Sequence, residues 1–324
     1  MAVRLLQPVL IGAVALGFPL VVTGGYHLHL AIMALIFTVL VAGLNLLVGY
    51  MGLLSLGHAA FFGIGAYVSG LFYKKLGLSF WVGFPAAGVV AALAALVLGY
   101  IVLRVRGHRF VIISIAFQEI VRMVDSNWVE LTNGYMGIAG IAAPRLLLGP
   151  LDIDFFPKRH FYYLALAVAA LTVFVCQQLA DSHIGRALIG IRESEALAGT
   201  VGISPFRYSM IAFTVGAFFG GLAGSLYAHF IGFISPDLFH FSVMIEMLVM
   251  LIMGGKGTTW GPVLGAIIFT MLPEYLRVAK DFRMIIFGGI LVGAILYMPQ
   301  GIIMPIARVA ERLPRLWRPA ERPA

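Results

Sequence analysis

The stretch that decides the fold is Ala86-Ala-Gly-Val-Val-Ala-Ala-Leu-Ala-Ala-Leu-Val-Leu-Gly-Tyr-Ile-Val-Leu103. None of its 18 residues carries a charge. An uncharged apolar run of about 18–20 residues, wound as a helix, crosses the hydrocarbon core of a bilayer. A β-barrel strand would instead alternate apolar and polar positions over ~10 residues, and nothing in 86–103 alternates. The chain is therefore read as an all-α, polytopic membrane protein.

Composition points the same way. Hydrophobic residues make up 61% of the 324 and charged residues 11%, against about 25% charged in a soluble domain. The mean hydropathy is +1.00. No soluble chain of this length has an interior that hides so much apolar surface. A soluble enzyme, a secreted disulfide scaffold and a disordered protein are excluded. Cys176 is the single cysteine, so neither an internal disulfide nor a Cys-type zinc site can form. The net charge of +8 reflects, in a membrane protein, cytoplasmic loops rich in Arg and Lys. The 38 glycines exceed the usual ~7% and suggest close helix packing and broken helices.

Ten apolar segments follow along the chain: Leu5–Val22, Leu28–Val48, Leu53–Tyr73, Phe80–Leu103, Phe110–Val124, Phe161–Ala180, Phe206–Ile231, Phe239–Met253, Gly261–Leu276 and Met284–Met304. Arg4 precedes the first as in a signal peptide, but no A-x-A-like site follows, so it reads as a retained helix. With both termini inside, 13 of the 22 Lys and Arg fall in the cytoplasm, including Arg104, Arg106, Arg109 and five tail arginines. The 1–324 unit then forms one transmembrane domain, with a cytoplasmic loop at 181–207 and a basic tail at 305–324. Phe110–Val124 and Phe239–Met253 look short for ~30 Å of hydrocarbon. Either their ends extend further, or they are the short helices that point to a transporter's path. Gly49-Tyr-Met-Gly52 and Gly254-Gly-Lys-Gly257 echo each other, each before a span rich in small residues.

No nucleophile elbow or metal cluster is visible. In Gly255-Lys256-Gly257-Thr258 the lysine is followed by glycine, whereas a phosphate loop needs Ser or Thr there. The chain is thus expected to bind no cofactor and to have no ATPase site of its own. Ionisable groups inside spans are candidates for function by default. Glu119 lies three residues from Arg122, at ion-pair spacing on one helix face. Glu246 has no local basic partner. Asn45, Ser55 and His58 could line a path or be satisfied by a packed helix. Ala212, Gly216, Gly220, Gly224 and Ala228 recur every four residues and form a smooth face for close packing.

The Asp181–Arg207 loop mixes Arg186, Arg192 and Arg207 with Glu193 and Glu195. It reads as one or two short amphipathic helices ending near Gly202-Ile-Ser-Pro205, with Leu188, Ile191 and Leu197 on the apolar face. A docking element for a cytoplasmic partner accounts for it; a helix lying on the membrane is the other reading.

Five stretches together carry a resemblance. Gly43-Leu-Asn-Leu-Leu-Val-Gly49-Tyr-Met-Gly52-Leu-Leu-Ser-Leu-Gly57-His58-Ala-Ala-Phe-Phe-Gly63-Ile-Gly65-Ala-Tyr67 opens the set. Leu103-Arg-Val-Arg-Gly107 leads into Ala116-Phe-Gln-Glu119-Ile-Val-Arg122 and Leu131-Thr-Asn133-Gly134. Gly185-Arg186-Ala with Ile191-Arg-Glu-Ser-Glu195-Ala196 follows. Phe219-Gly-Gly-Leu-Ala-Gly224 and Met253-Gly-Gly-Lys-Gly257-Thr-Thr-Trp260-Gly-Pro262 complete it. In this order the chain resembles the branched-chain amino acid ABC transporter permeases, LivM type.

The resemblance implies a permease subunit in a bacterial inner membrane. It would pair with a second permease of the LivH type, two ATPase subunits that hold ATP and Mg, and an external amino acid-binding protein. It makes Arg186, Arg192, Glu193, Glu195, Ala196 and Gly202 the ATPase-coupling segment; the residues themselves leave Asn45, Ser55, His58, Glu119, Asn133 and Glu246 as pathway candidates. Leu53 stands where many relatives have Gln, Asn133 where a Gly-Gly pair is common, and Lys256 in a turn often lacking Lys. Urea permeases of the superfamily share much of the pattern, so urea or short amides stay open as cargo beside amino acids. A secondary carrier would need Glu119 or Glu246 as its coupling site.

Overall fold

The computed structural model describes residues 15–20, 24–105, 107–148 and 151–276, and isolated positions at 282, 288–289, 292–293 and 301. Most of the expected Leu5–Val22 and Met284–Met304 spans, and the 305–324 tail, lie outside the described residues. Among the described residues, the following helices carry the fold. They are α1 (Gly25–Asn45), α2 (His58–Leu76), α3 (Phe80–Val102), α4 (His108–Asn127), α5 (Lys158–Asp181), α6 (His183–Glu193), α7 (Glu195–Thr200), α8 (Pro205–Ile231), α9 (Phe241–Gly254) and α10 (Gly261–Tyr275). Among the described residues, four helical stretches are long and apolar enough to cross a membrane: Gly25–Tyr50, Phe80–Val102, Lys158–Asp181 and Pro205–Ile231.

The 27-residue α8 is the axis of the bundle and packs against α1, α2 and α3. Its small residues make this possible. A Cβ on Gly224 would lie 2.0 Å from the Phe62 carbonyl oxygen, and one on Gly216 2.7 Å from that of Gly43. Backbones this close leave room only for hydrogen. The row therefore faces protein, not lipid. Helix α1 is apolar on all sides and almost wholly buried between α5, α8 and α10, as such a helix must be. Helix α5 leaves Leu171 and Phe174 exposed.

Three boundaries differ from the sequence expectation. Helix α1 widens into a π turn at Leu46–Tyr50. The third segment becomes helical only at His58, so Leu53–Gly57 is irregular. Gly52 sits at φ +75°, and a Cβ on Gly57 would meet the Ser114 carbonyl oxygen at 2.3 Å. Ser114 Oγ accepts the Leu56 N–H at 3.0 Å, which satisfies backbone no helix is satisfying. Of the two short segments, Phe110–Val124 belongs to the 20-residue α4, about 30 Å long. The other remains short: α9 has 14 residues, about 21 Å.

Four short strands accompany the helices. β1 (Ile138–Ala139) pairs antiparallel with β4 (Phe233–Ile234), and β2 (Arg145–Leu148) with β3 (Leu151–Asp154). The first pair ties the loop after α4 to the end of α8. Asn133, φ +63°, is the one non-glycine with positive φ among the described residues.

Candidate translocation path and coupling segment

Helices α2 and α4 run side by side in the same direction. Gly57 abuts Ser114, the Phe61 and Phe117 rings are 5.8 Å apart, and Tyr67 lies close enough to Asp125 for each to feel the other's charge state. Polar side chains collect along this seam. Seven of the nine buried side-chain atoms without a hydrogen-bond partner among the described residues lie on it: Ser55 Oγ, both His58 ring nitrogens, Tyr67 Oη, Gln118 Oε1, Asp125 Oδ2 and Ser126 Oγ. Burying polar groups unpaired is costly, so their concentration on one line marks a place built for something other than packing.

Ser55 and His58, expected as candidates, stand at one end of the seam, 1% and 0% exposed. The His58 ring lies edge-on to Phe61 at 5.6 Å, next to Gly216 and Gly220 of α8. Tyr67, Gln118, Asp125 and Ser126 were not expected. The signal for the last three is their i, i+7, i+8 spacing, which puts polar groups on one face of α4.

The other candidates sit elsewhere. Asn45 is fully engaged: its Nδ2 donates to the Thr258 carbonyl at 2.8 Å and its Oδ1 accepts the Gly257 N–H at 2.8 Å. Glu119 pairs with Arg122, whose Nε donates at 2.9 and 3.0 Å and whose Nη2 also reaches the carboxylate. The pair lies on the outer side of α4, with the Glu119 side chain 46% exposed. Glu246 is half-buried on α9 near Tyr227 and makes no side-chain hydrogen bond among the described residues. Asn133 is exposed and ends the helical turn Val129–Thr132 in the left-handed conformation. Asn tolerates that conformation better than other side chains, so its evident task there is backbone geometry. Gly220 is more loosely held than its neighbours in the row, with 3.4 Å from an added Cβ to Phe61 Cβ.

A second buried polar group was not foreseen. Ser225 donates to Ser69 at 2.7 Å, Ser69 Oγ lies 3.0 Å from His229 Nε2, and His229 Nδ1 lies 2.7 Å from the Ala142 carbonyl. Every member is satisfied. The chain pins α2, α8 and the loop before β2 together.

The 181–207 segment folds as two helices capped by serine. Ser182 Oγ accepts the Ile184 N–H, and Ser194 Oγ the Leu197 N–H. Capping satisfies amides that a helix start leaves unpaired. Gly202, at φ +83°, closes the segment before Pro205 starts α8. Leu188 and Ile191 are buried against the bundle. Leu197 and Val201 are 68% and 74% exposed, and Arg186, Glu193, Glu195 and Ala196 are on the surface with them. Arg192 is exposed too, but its Nη1 reaches back to the bundle and donates to the Gly49 carbonyl at 3.1 Å. Beside the segment is a cleft of about 520 Å³, lined by Leu103, Arg104, Glu195, Ser204, Pro205 and Phe206. Among the described residues, no group of three or more His, Cys, Asp or Glu is placed to hold a metal.

A family model described as "Branched-chain amino acid transport system / permease component" matches residues 26–296. The chain belongs to this branched-chain amino acid permease family. The permease is 35% identical over 314 residues to LivM of Salmonella typhimurium, a "High-affinity branched-chain amino acid transport system permease protein", covering 91% of this chain and 73% of that one. The identity to LivM of Escherichia coli K12 is also 35%, over 313 residues with the same coverage. To LivH of Salmonella typhimurium it is 24% over 290 residues, 82% of this chain and 91% of that one. The permease is thus nearer these two LivM relatives than this LivH one. No solved structure matches it.

Proposed function

We propose that this chain is one membrane subunit of an ATP-driven importer for branched-chain amino acids. It joins a second permease, takes its cargo from an external binding protein, and is driven by separate ATPase subunits that hold ATP and Mg. The 181–207 segment carries this reading. Two capped helices held to the bundle by a buried face, with Leu197 and Val201 presented outward, suit a groove in a cytoplasmic partner. A carrier driven by an ion gradient has no use for such an element. The cargo class comes from the names of the LivM and LivH relatives.

In this picture ten spans cross a bacterial inner membrane with both termini in the cytoplasm, and the polar seam of α2 and α4 borders the path. A zwitterion in transit needs polar partners, which Ser55, His58, Tyr67, Gln118, Asp125 and Ser126 supply along one line. The energy source tests the proposal. In membrane vesicles containing the whole complex, uptake of labelled leucine should stop when internal ATP is withdrawn and continue when the proton gradient is collapsed. Uptake that survives without ATP and dies with the gradient overturns it.

A further inference from the structure

Three distant parts of the chain meet at one knot. The π turn at Leu46–Tyr50 leaves carbonyl groups at the end of α1 without helical partners, where the helix dipole favours a cation. Arg192, near the end of α6, supplies it: Nη1 donates to the Gly49 carbonyl at 3.1 Å. Nε and Nη2 hold the Glu193 carboxylate at 3.2 and 2.9 Å, which fixes the direction of the guanidinium.

The third part is the turn between α9 and α10. Gly257, φ +73°, fits a side chain only tightly: a Cβ would lie 3.0 Å from Gly49 O and 3.3 Å from Arg192 Nη1. On the other side Gly52, φ +75°, would put its Cβ 2.6 Å from Arg192 Cγ. Asn45 then locks the Gly257 turn to the end of α1 through both ends of its amide. The two echoing glycine turns, Gly49–Gly52 and Gly254–Gly257, therefore meet directly, a Cβ on Gly49 lying 2.4 Å from Gly257 N, with Arg192 against both. A π turn is a strained element often found at functional sites, and this one leads directly into Leu53–Gly57 and the Ser55–His58 end of the polar seam.

We propose that Arg192 is the positioning residue that converts movement of the cytoplasmic helices into movement of the membrane path. A shift of α6 and α7 pulls on Gly49 and, through Asn45, on the Gly257 turn, so the ends of α1, α9 and α10 move as one body. Arg192 acts on the permease itself, while Leu197 and Val201 face the partner. The inference rests on the reading of 181–207 as the partner-docking segment.

The test uses the whole complex in liposomes, with ATP hydrolysis and uptake of labelled leucine measured separately. For Arg192→Gln, assembly and hydrolysis persist, and leucine transported per ATP falls at least tenfold. Gly257→Ala, whose methyl would push on Gly49 and Arg192, gives the same loss, and the double variant is no worse than either single one. Arg192→Lys keeps the charge but cannot hold Gly49 and Glu193 in one planar fork, so it assembles normally with an intermediate ratio; it stands in if Arg192→Gln fails to assemble. Hydrolysis and uptake that fall in proportion, or a normal ratio in Arg192→Gln or Arg192→Lys, overturn the proposal. A wild-type complex that imports leucine without hydrolysing ATP would defeat the importer reading instead.

Discussion

Asn45 and Gly257, 212 positions apart, are joined by a 2.8 Å hydrogen bond from the glycine amide to the Asn45 Oδ1. The same side chain returns a bond of 2.8 Å to the Thr258 carbonyl, so one amide satisfies a donor and an acceptor of a turn that has no helix to do so. Asn45→Ala leaves both backbone groups to find other partners, at about 1–3 kcal/mol each if they fail. Asn45→Asp fares little better, because a carboxylate cannot donate to Thr258. The melting temperature of the detergent-solubilised protein should fall in both variants, and Gln should not rescue it. An unchanged melting temperature in Asn45→Ala would show that the turn holds itself.

Position in the small-residue row decides tolerance. Gly224→Ala puts a methyl 2.0 Å from the Phe62 carbonyl oxygen, so α2 and α8 must separate. Overpacking of this kind costs on the order of 1–3 kcal/mol. Gly220→Ala meets Phe61 Cβ at 3.4 Å, His58 Nε2 at 3.6 Å and Phe61 C at 3.8 Å, all ordinary contacts. Folded yield should therefore drop several-fold for Gly224→Ala and stay near normal for Gly220→Ala, while Gly220→Leu blocks folding. Fluorescence-detected size exclusion separates these outcomes; equal yields for the two alanine variants would contradict the packing described.

The outward tip of the cytoplasmic segment separates docking from stability. Leu197→Asp and Val201→Asp change exposed positions, where substitutions usually stay within about 0.5 kcal/mol. They should leave expression and melting temperature intact and abolish co-purification with the ATPase subunits. Ile191→Asp, at a site 5% exposed, should instead destabilise the chain. Normal co-purification of Leu197→Asp would remove the tip from the interface.

Glu119 and Arg122 form a pair on the outer side of α4, where a lone charge facing lipid would be costly. Neutralising either residue removes the other's ion-pair partner and should lower uptake. The reversed pair Glu119→Arg with Arg122→Glu should restore most of it, because the i,i+3 spacing serves both orders. Failure of the reversed pair to recover would give Glu119 a task beyond pairing.

Local signals explain what the sequence makes legible. Long apolar runs such as 86–103 announce spans, and the Gly202-Ile-Ser-Pro205 stop announces the end of the cytoplasmic helices, because length and helix-ending signals act over a few residues. The Glu119–Arg122 pair was visible for the same reason. The π turn at Leu46–Tyr50 and the irregular Leu53–Gly57 were hidden, since apolar residues there continue the helical composition and only the fit of Gly57 against Ser114 breaks the helix. Asn45 looked like a path residue because its partners are more than two hundred residues away. Tyr67, Asp125 and Ser126 went unnoticed because only the fold brings Tyr67 of α2 against Asp125 of α4. The Arg192–Gly49 bond spans 143 positions, and no spacing rule reaches that far. The β2–β3 hairpin did carry a local cue, Gly149-Pro150 between two short apolar runs, which the membrane reading overshadowed.

Import of branched-chain amino acids is tested most directly by uptake of labelled leucine in cells lacking this gene and in cells with it restored. Excess unlabelled valine, isoleucine and urea serve as competitors in parallel. Deletion should remove the high-affinity uptake, restoration should return it, and valine and isoleucine but not urea should compete. Leucine uptake unchanged by deletion in a strain without other leucine transporters, or competition by urea alone, would contradict the assignment.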